Sequence, residues 1–86
     1  MQRPWVTSTS YEAAVKVLID VRTEAGLSQR ELAELLGKPR SFVSKLESRE
    51  RRLDVVEMIA YAKALGIAPA DLIDRIASVL DEPIIF

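Results

Sequence analysis

The chain is cut into short pieces by its own punctuation, and this constrains its fold more than any other feature. Gly26, Gly37 and Gly66 each follow an apolar run of helical spacing, as expected of glycines that close helices in the left-handed conformation. Helix-opening patterns alternate with them. Thr9-Ser10-Tyr11-Glu12, Ser28-Gln29-Arg30-Glu31 and Asp54-Val55-Val56-Glu57 each place a capping side chain three residues before a glutamate, the spacing of a capping box. Pro39 and Pro69 suit the first turn of a helix, where a missing N–H costs little. Five helices follow. The first runs from a Thr9 cap and carries Ala14, Leu18, Val21 and Ala25, widened by Val15 and Val17. The second turns Leu32, Ala33 and Leu36 inward, and the third Val43 and Leu46. The fourth carries Val56, Ile59, Ala60, Ala62 and Leu65, and the fifth Leu72, Ile73, Ile76, Ala77, Val79 and Leu80. Helices this short are marginal alone and must share a core.

The expected fold class is therefore all-α: one domain over residues 1–86 with a core at about 10–80. Short apolar extensions, 1–9 and 81–86, each contain a proline followed by β-favouring residues, RPWV and EPIIF. An 86-residue chain buries roughly 60–65% of its unfolded surface, so each apolar face matters.

Composition excludes much chemistry. The chain has no cysteine and no histidine, which removes disulfides, thiolate nucleophiles, a zinc site and a Ser-His-Asp triad. There is no glycine-rich phosphate loop. The expectation is no enzyme, no metal and no cofactor. No apolar run reaches the roughly 18–20 residues of a membrane span, and the N-terminus lacks the apolar core of a signal peptide. A cytoplasmic location is expected.

Charge is segregated. Residues 28–52 are net +3 and residues 53–86 net −4, within a chain of net −1. Such asymmetry suits one face for a polyanion and another for a different partner. The cations concentrate in KPRSFVSKLESRERR, residues 38–52, through which Val43 and Leu46 run at helical spacing. Arg40, Ser41, Ser44 and Lys45 then fall on the outer face of an amphipathic helix.

Two short helices joined by a tight turn at Gly37, the second with cations outward, form a helix-turn-helix. The stretch VRTEAGLSQRELAELLGKPRSFVSKLESRERR resembles the phage-repressor/Cro-type helix-turn-helix, the xenobiotic-response-element family. Arg22, Gly26-Leu27-Ser28-Gln29, Leu32-Ala33, Leu36-Gly37, Val43-Ser44, Leu46-Glu47 and Ala64-Leu65-Gly66-Ile67 carry the likeness, which spans about residues 14–73. It implies a five-helix, repressor-like DNA-binding domain, commonly dimeric, in a transcriptional regulator. The second helix of such a pair enters the major groove by its N-terminal end. Arg40, Ser41 and Lys45, with Ser44 as a further candidate, then lie nearest the base edges. Arg40 suits the forked contact to guanine. Ser28, Gln29, Lys38, Arg49, Arg51 and Arg52 are expected on phosphates, which position without specifying. The resemblance also implies an Arg22–Glu47 ion pair tying the first helix to the third.

Two residues depart from the family pattern. Phe42 either packs beside the fourth helix or touches a thymine methyl. Arg49 stands where glycine often ends the recognition helix, so it either extends the helix or takes a strained cap. For a two-fold dimer, the expected interface is Leu72, Ile76, Val79, Leu80, Ile84, Ile85 and Phe86, with the IIF end adding a strand to a partner's RPWV; the alternative is that both ends cover their own core.

The function that follows is a homodimeric, double-stranded-DNA-binding repressor or autoregulator reading a palindromic operator. Two alternatives stand beside it. One is the antitoxin of a toxin pair, its acidic half meeting a basic toxin. The other is a protein-interaction module that retains the fold.

Overall fold

The computed structural model describes residues 8–86. Five helices follow one another: α1 (Thr9–Glu24), α2 (Gln29–Leu36), α3 (Arg40–Glu47), α4 (Val55–Leu65) and α5 (Pro69–Val79). No strand occurs among the described residues. RPWV lies outside them, and with it the expected strand pairing.

Every helix contributes to one core. Val17, Leu18 and Val21 of α1 meet Leu32 and Ala33 of α2, and Val43 and Leu46 of α3. Tyr61, Ala62 and Leu65 of α4 and Leu72 and Ile76 of α5 complete it. Complete burial of Leu32, Val43, Leu46 and Leu72 stabilises by about 1.5–3 kcal/mol per side chain. Because α3 turns Phe42, Val43 and Leu46 inward, its other face is free to meet a ligand.

The helix ends follow the expected chemistry at most positions. Ser28 and Asp54 close reciprocal capping boxes with Glu31 and Glu57. Gly26, Gly37 and Gly66 all take left-handed backbone. At Gly37 the cap is complete: its N–H reaches the Glu34 carbonyl at 3.1 Å, and the Lys38 N–H reaches Ala33 at 2.9 Å.

Two expectations at element ends are corrected, and the alternative left open at Arg49 is resolved. The α1 cap is Ser8, not Thr9; the Ser8 hydroxyl accepts the Tyr11 N–H at 3.1 Å. Glu12 then lies one residue too far along to close a box, and it pairs with Arg49 instead. Pro39 is the cap residue of α3, just ahead of its first turn, with ψ at 154°. The residue after Ser48 is a strained cap: Arg49 has φ of 65°. Its N–H goes to Leu46 and the Glu50 N–H to Lys45, at 3.0 and 2.8 Å, the same closure that Gly37 makes at the end of α2.

The expected dimer residues divide. Leu72 and Ile76 are buried in the chain's own core, which removes them from any interface. Half-exposed Ile73 and Val79 are the large apolar residues α5 shows to solvent. The apolar surface continues on α4, where Val55 and Val56 are 77% and 75% exposed and Ile59 43%. The C-terminal segment folds back onto its own α1. The Ser8 hydroxyl donates to the Ile85 carbonyl, and the Ile85 N–H donates to the Ser10 hydroxyl. The Ile85 backbone is thereby occupied within its own chain. Ile84, Ile85 and Phe86 still expose much of their side chains, and Leu80 packs against the core.

Candidate nucleic-acid interface

The α2–α3 pair is held by side chains that are themselves fixed. Arg22, on α1, donates Nε–H to Glu47 Oε2 at 2.7 Å and an Nη2–H to Oε1 at 3.0 Å. It donates a further proton to the Leu27 carbonyl at 2.7 Å. Gln29 Nε2 donates to the same Glu47 Oε1 at 2.9 Å. One carboxylate at the end of α3 thus collects donors from α1 and α2. The Arg22 and Glu47 side chains are only 15% and 7% exposed. The Glu47 partnership pushes the Arg22 guanidinium above its ordinary value. The arrangement fixes α3 without using any group on its outer face.

A second clamp holds the other side of α3. Phe42 packs against the core and lines a small cavity with Leu36, Tyr61 and Ala60. The Arg51 guanidinium stacks 4.2 Å from its ring centroid, and Lys38 Nζ lies 5.8 Å away. Packing is the reading of Phe42 that this geometry supports. Arg51 also forks onto Glu57 at 2.7 and 2.9 Å. The Arg51 hydrogen bonds hold the Glu57 carboxyl below the usual carboxylate range, and Glu57 in turn raises Arg51. This fork bears on the expected phosphate role of Arg51. In the free protein its fork is already filled by a carboxylate, and its work is to join the loop to α4.

The outer face is left to Arg40, Ser41 and Lys45, all exposed. Ser44 is half-buried, and its hydroxyl donates back to the Ser41 carbonyl at 3.3 Å. It is the least presented of the four base-facing candidates. Of the candidates for phosphates, Ser28 caps α2 and accepts the Glu31 N–H at 3.1 Å. Gln29 holds Glu47, and Lys38 is exposed beside the Gly37 turn. Arg49 pairs with Glu12 at 3.2 Å. The Arg52 guanidinium sits over the Tyr11 ring at 5.2 Å.

One cation was missed in the sequence reading. Arg30 is exposed on the first turn of α2 and lines, with Arg22, Ser28, Gln29 and Arg40, a cleft of about 400 Å³. Its signal was present: it directly follows Gln29 on a helix whose start the capping box marks. Among the described residues, Arg30, Lys38, Arg40 and Lys45 form no ion pair, and neither does Lys63 of α4. The first four lie on α2, α3 or the turn between them. The cations of α1, α5 and the 49–51 loop, by contrast, meet acids: Lys16, Arg22, Arg49, Arg51 and Arg75. Of Arg30, Lys38, Arg40, Lys45 and Lys63, four thus sit on the surface that carries α3.

A groove of about 340 Å³ opens elsewhere, lined by Leu53, Val55, Met58, Ile59, Pro69, Ala70 and Ile73. Among the described residues no cluster of acids suits a metal ion, and no helix is long and apolar enough to cross a membrane.

Comparison with known proteins agrees with this geometry. A family model described as helix-turn-helix matches residues 18–72. Curated protein sequences gave no match. Among solved structures, an XRE-family-like protein from Pseudomonas syringae pv. tomato str. DC3000 is 40% identical, with a TM-score of 0.76 over 84% of this chain and 88% of that one. The restriction-modification controller protein C.AhdI from Aeromonas hydrophila is 37% identical, with a TM-score of 0.66 over 72% of this chain and 94% of that one. The clp gene regulator ClgR from C. glutamicum is 26% identical, with a TM-score of 0.74 over 85% and 95% of the two chains. With the family model covering α2, α3 and α4 and the turn geometry in place, the chain belongs to the phage-repressor/Cro-type, or XRE, helix-turn-helix family of DNA-binding regulators.

Proposed function

We propose that the protein is a homodimeric transcriptional regulator, a repressor or autoregulator, that reads a palindromic operator with α3 in the major groove. One observation carries the reading. α3 is sealed on its inner side by Val43, Leu46 and Glu47 and presents Arg40, Ser41 and Lys45 outward. Arg30 and Lys38 flank it, and none of these cations has a carboxylate partner among the described residues. Arg40 reads a base pair in this arrangement, while Arg30, Lys38, Arg49 and Arg52 hold phosphates.

A single such domain buries only about 600–1,000 Å² on DNA. Two copies related by a two-fold axis reach half-sites about one helical turn, roughly 34 Å, apart. The dimer surface we assign is the α4–α5 face, where Val55, Val56, Ile59 and Ile73 expose apolar side chains around the groove. It replaces the buried Leu72 and Ile76 of the sequence-based expectation. The matched C.AhdI and ClgR are named as a controller and a gene regulator, which supports a regulatory role.

Selection of bound fragments from random DNA, followed by mobility shifts across a salt series, tests the reading. The expected result is a palindrome, a steep fall of affinity with salt, and relaxed preference at one position per half-site for Arg40→Ala. Failure to bind any fragment at low salt would refute it. Val55→Asp tests the dimer: an acid suits the first turn of a helix, so the fold survives. Sedimentation should then show a monomer, and an unchanged dimer would exclude this face.

A further inference from the structure

The loop from Ser48 to Asp54 follows the recognition helix and carries Arg49, Arg51 and Arg52. Its first half is closed by its own backbone, since the Arg49, Glu50 and Arg51 N–H groups return to α3 carbonyls. Its second half is held from a distance. The Leu53 N–H donates to the Tyr11 hydroxyl at 3.3 Å, and that hydroxyl donates to the Arg51 carbonyl at 3.3 Å. The two bonds bracket Arg52. The same tyrosine offers its ring to the Arg52 guanidinium, 5.2 Å from the centroid. Tyr11 therefore touches both the backbone on either side of Arg52 and its charged group, and Arg51 Nη1 adds a hydrogen bond to the Arg52 carbonyl at 2.9 Å.

Tyr11 is itself anchored. Its N–H is capped by the Ser8 hydroxyl, and that hydroxyl also donates to the Ile85 carbonyl, while Ser10 accepts the Ile85 N–H. The first turn of α1 is thus stitched to the C-terminal segment and does not fray as an open helix end does. Glu12, one residue on, pairs with Arg49 of the same loop. Burial raises the Tyr11 hydroxyl above its ordinary value, so it remains a neutral phenol, able to donate and accept together.

We propose that Tyr11, outside the helix-turn-helix, is a positioning residue for DNA binding that sets Arg52 for a backbone phosphate. The proposal rests on the DNA-binding reading above. A guanidinium already stacked and backed by a fixed loop loses less conformational freedom on meeting its phosphate. Arg52 then acts as a pre-set contact and not as a flexible tether. The contact is to the backbone, so its loss changes affinity alike at every sequence.

The test is a mobility-shift salt series on wild-type protein, Tyr11→Phe, Arg52→Ala and the double variant, with the thermal midpoint measured on each. Tyr11→Phe keeps the ring and removes the bridging hydroxyl. Loss of one phosphate contact lowers the slope of log K against log salt by about 0.9 and weakens binding about fivefold near ~150 mM salt. We expect the lower slope for Arg52→Ala, and for Tyr11→Phe a weakening of up to about fivefold with the slope largely kept, because Arg52 retains its charge; base preference is unchanged in both, and in the Arg52→Ala background Tyr11→Phe adds no further loss. Wild-type affinity for Tyr11→Phe would overturn the proposal, whatever the thermal midpoint does. So would an equal additional loss in the Arg52→Ala background, because Tyr11 would then act through something other than Arg52. If wild-type protein binds no DNA, the DNA-binding reading falls and the proposal with it. The wild-type lane therefore separates the two failures.

Discussion

Replacing Arg22 with methionine tests how the recognition helix is held. Methionine keeps much of the arginine stem's packing and removes the charge. The loss comprises two hydrogen bonds to Glu47 and one to the Leu27 carbonyl. Glu47, 7% exposed, is left with Gln29 alone. Charge-assisted hydrogen bonds contribute about 1.5–3 kcal/mol each, and stranding one member of a buried pair costs about 3–5 kcal/mol. The remaining Gln29 bond favours the low end, so the expected loss is about 3 kcal/mol. A domain of this size has a total stability of about 4–13 kcal/mol, making this a large fraction. Glu47→Leu should cost less, about 2 kcal/mol, because the stranded arginine has a stem long enough to reach water. The double variant Arg22→Met/Glu47→Leu removes both charges and should lie within about 1 kcal/mol of wild type. Urea unfolding followed by circular dichroism measures all four proteins. If the two single costs simply add in the double variant, the pair is not coupled and the reasoning fails. A single Arg22→Met within ~0.5 kcal/mol of wild type would refute it as directly.

Three other outcomes are expected. Arg49→Gly relieves a left-handed non-glycine and gives up an exposed ion pair with Glu12; unfolding should show about 0.5–1 kcal/mol more stability, and the same variant should bind DNA more weakly. Glu57→Gln probes pH. The Glu57 carboxyl is held below its ordinary value by Arg51, so its contribution is present above the unfolded carboxyl pKa of about 4.3 and is lost as pH falls through the lower, folded value. The stability gap between wild type and Glu57→Gln should therefore be full at pH 6 and close under acid, and a gap that widens in acid would be the wrong sign. Tyr61→Phe removes a buried hydroxyl without a partner among the described residues; calorimetry should show equal or greater stability, by up to about 1 kcal/mol, whereas a clear loss would reveal a partner such as a bound water.

The sequence was most legible where structure is decided locally. The Ser28–Glu31 and Asp54–Glu57 boxes and the glycines at 26, 37 and 66 are each settled within a few residues, and each stands where expected. The α1 start was not local. The run Thr7-Ser8-Thr9-Ser10 offers four capping side chains in succession, and the position taken is the one whose hydroxyl also donates to the Ile85 carbonyl, 77 residues away, while Ser10 accepts the Ile85 N–H. The α5 stripe failed for a related reason. Leu72 and Ile73 are neighbours of equal hydropathy, and only the placement of α1 and α4 decides which one is buried. Arg51 looked like another loop cation because nothing in its immediate context shows that Glu57, capping the next helix, fills its fork. Phe42 became placeable only with Tyr61 and Ala60 of α4 beside it.

The division of labour within α3 also bears on how such a protein can change. Its attachment is carried by Val43, Leu46, Phe42 and Glu47, each gripped by residues of other helices. Its exposed residues, Arg40, Ser41 and Lys45, take no part in that attachment. Mutations at these three positions are nearly free of stability cost; on the proposed reading, in which they face the bases, a lineage can explore new operators one residue at a time without first acquiring a compensating change in the scaffold. Exchange of those three side chains between relatives that share the clamp should transfer operator preference as a unit.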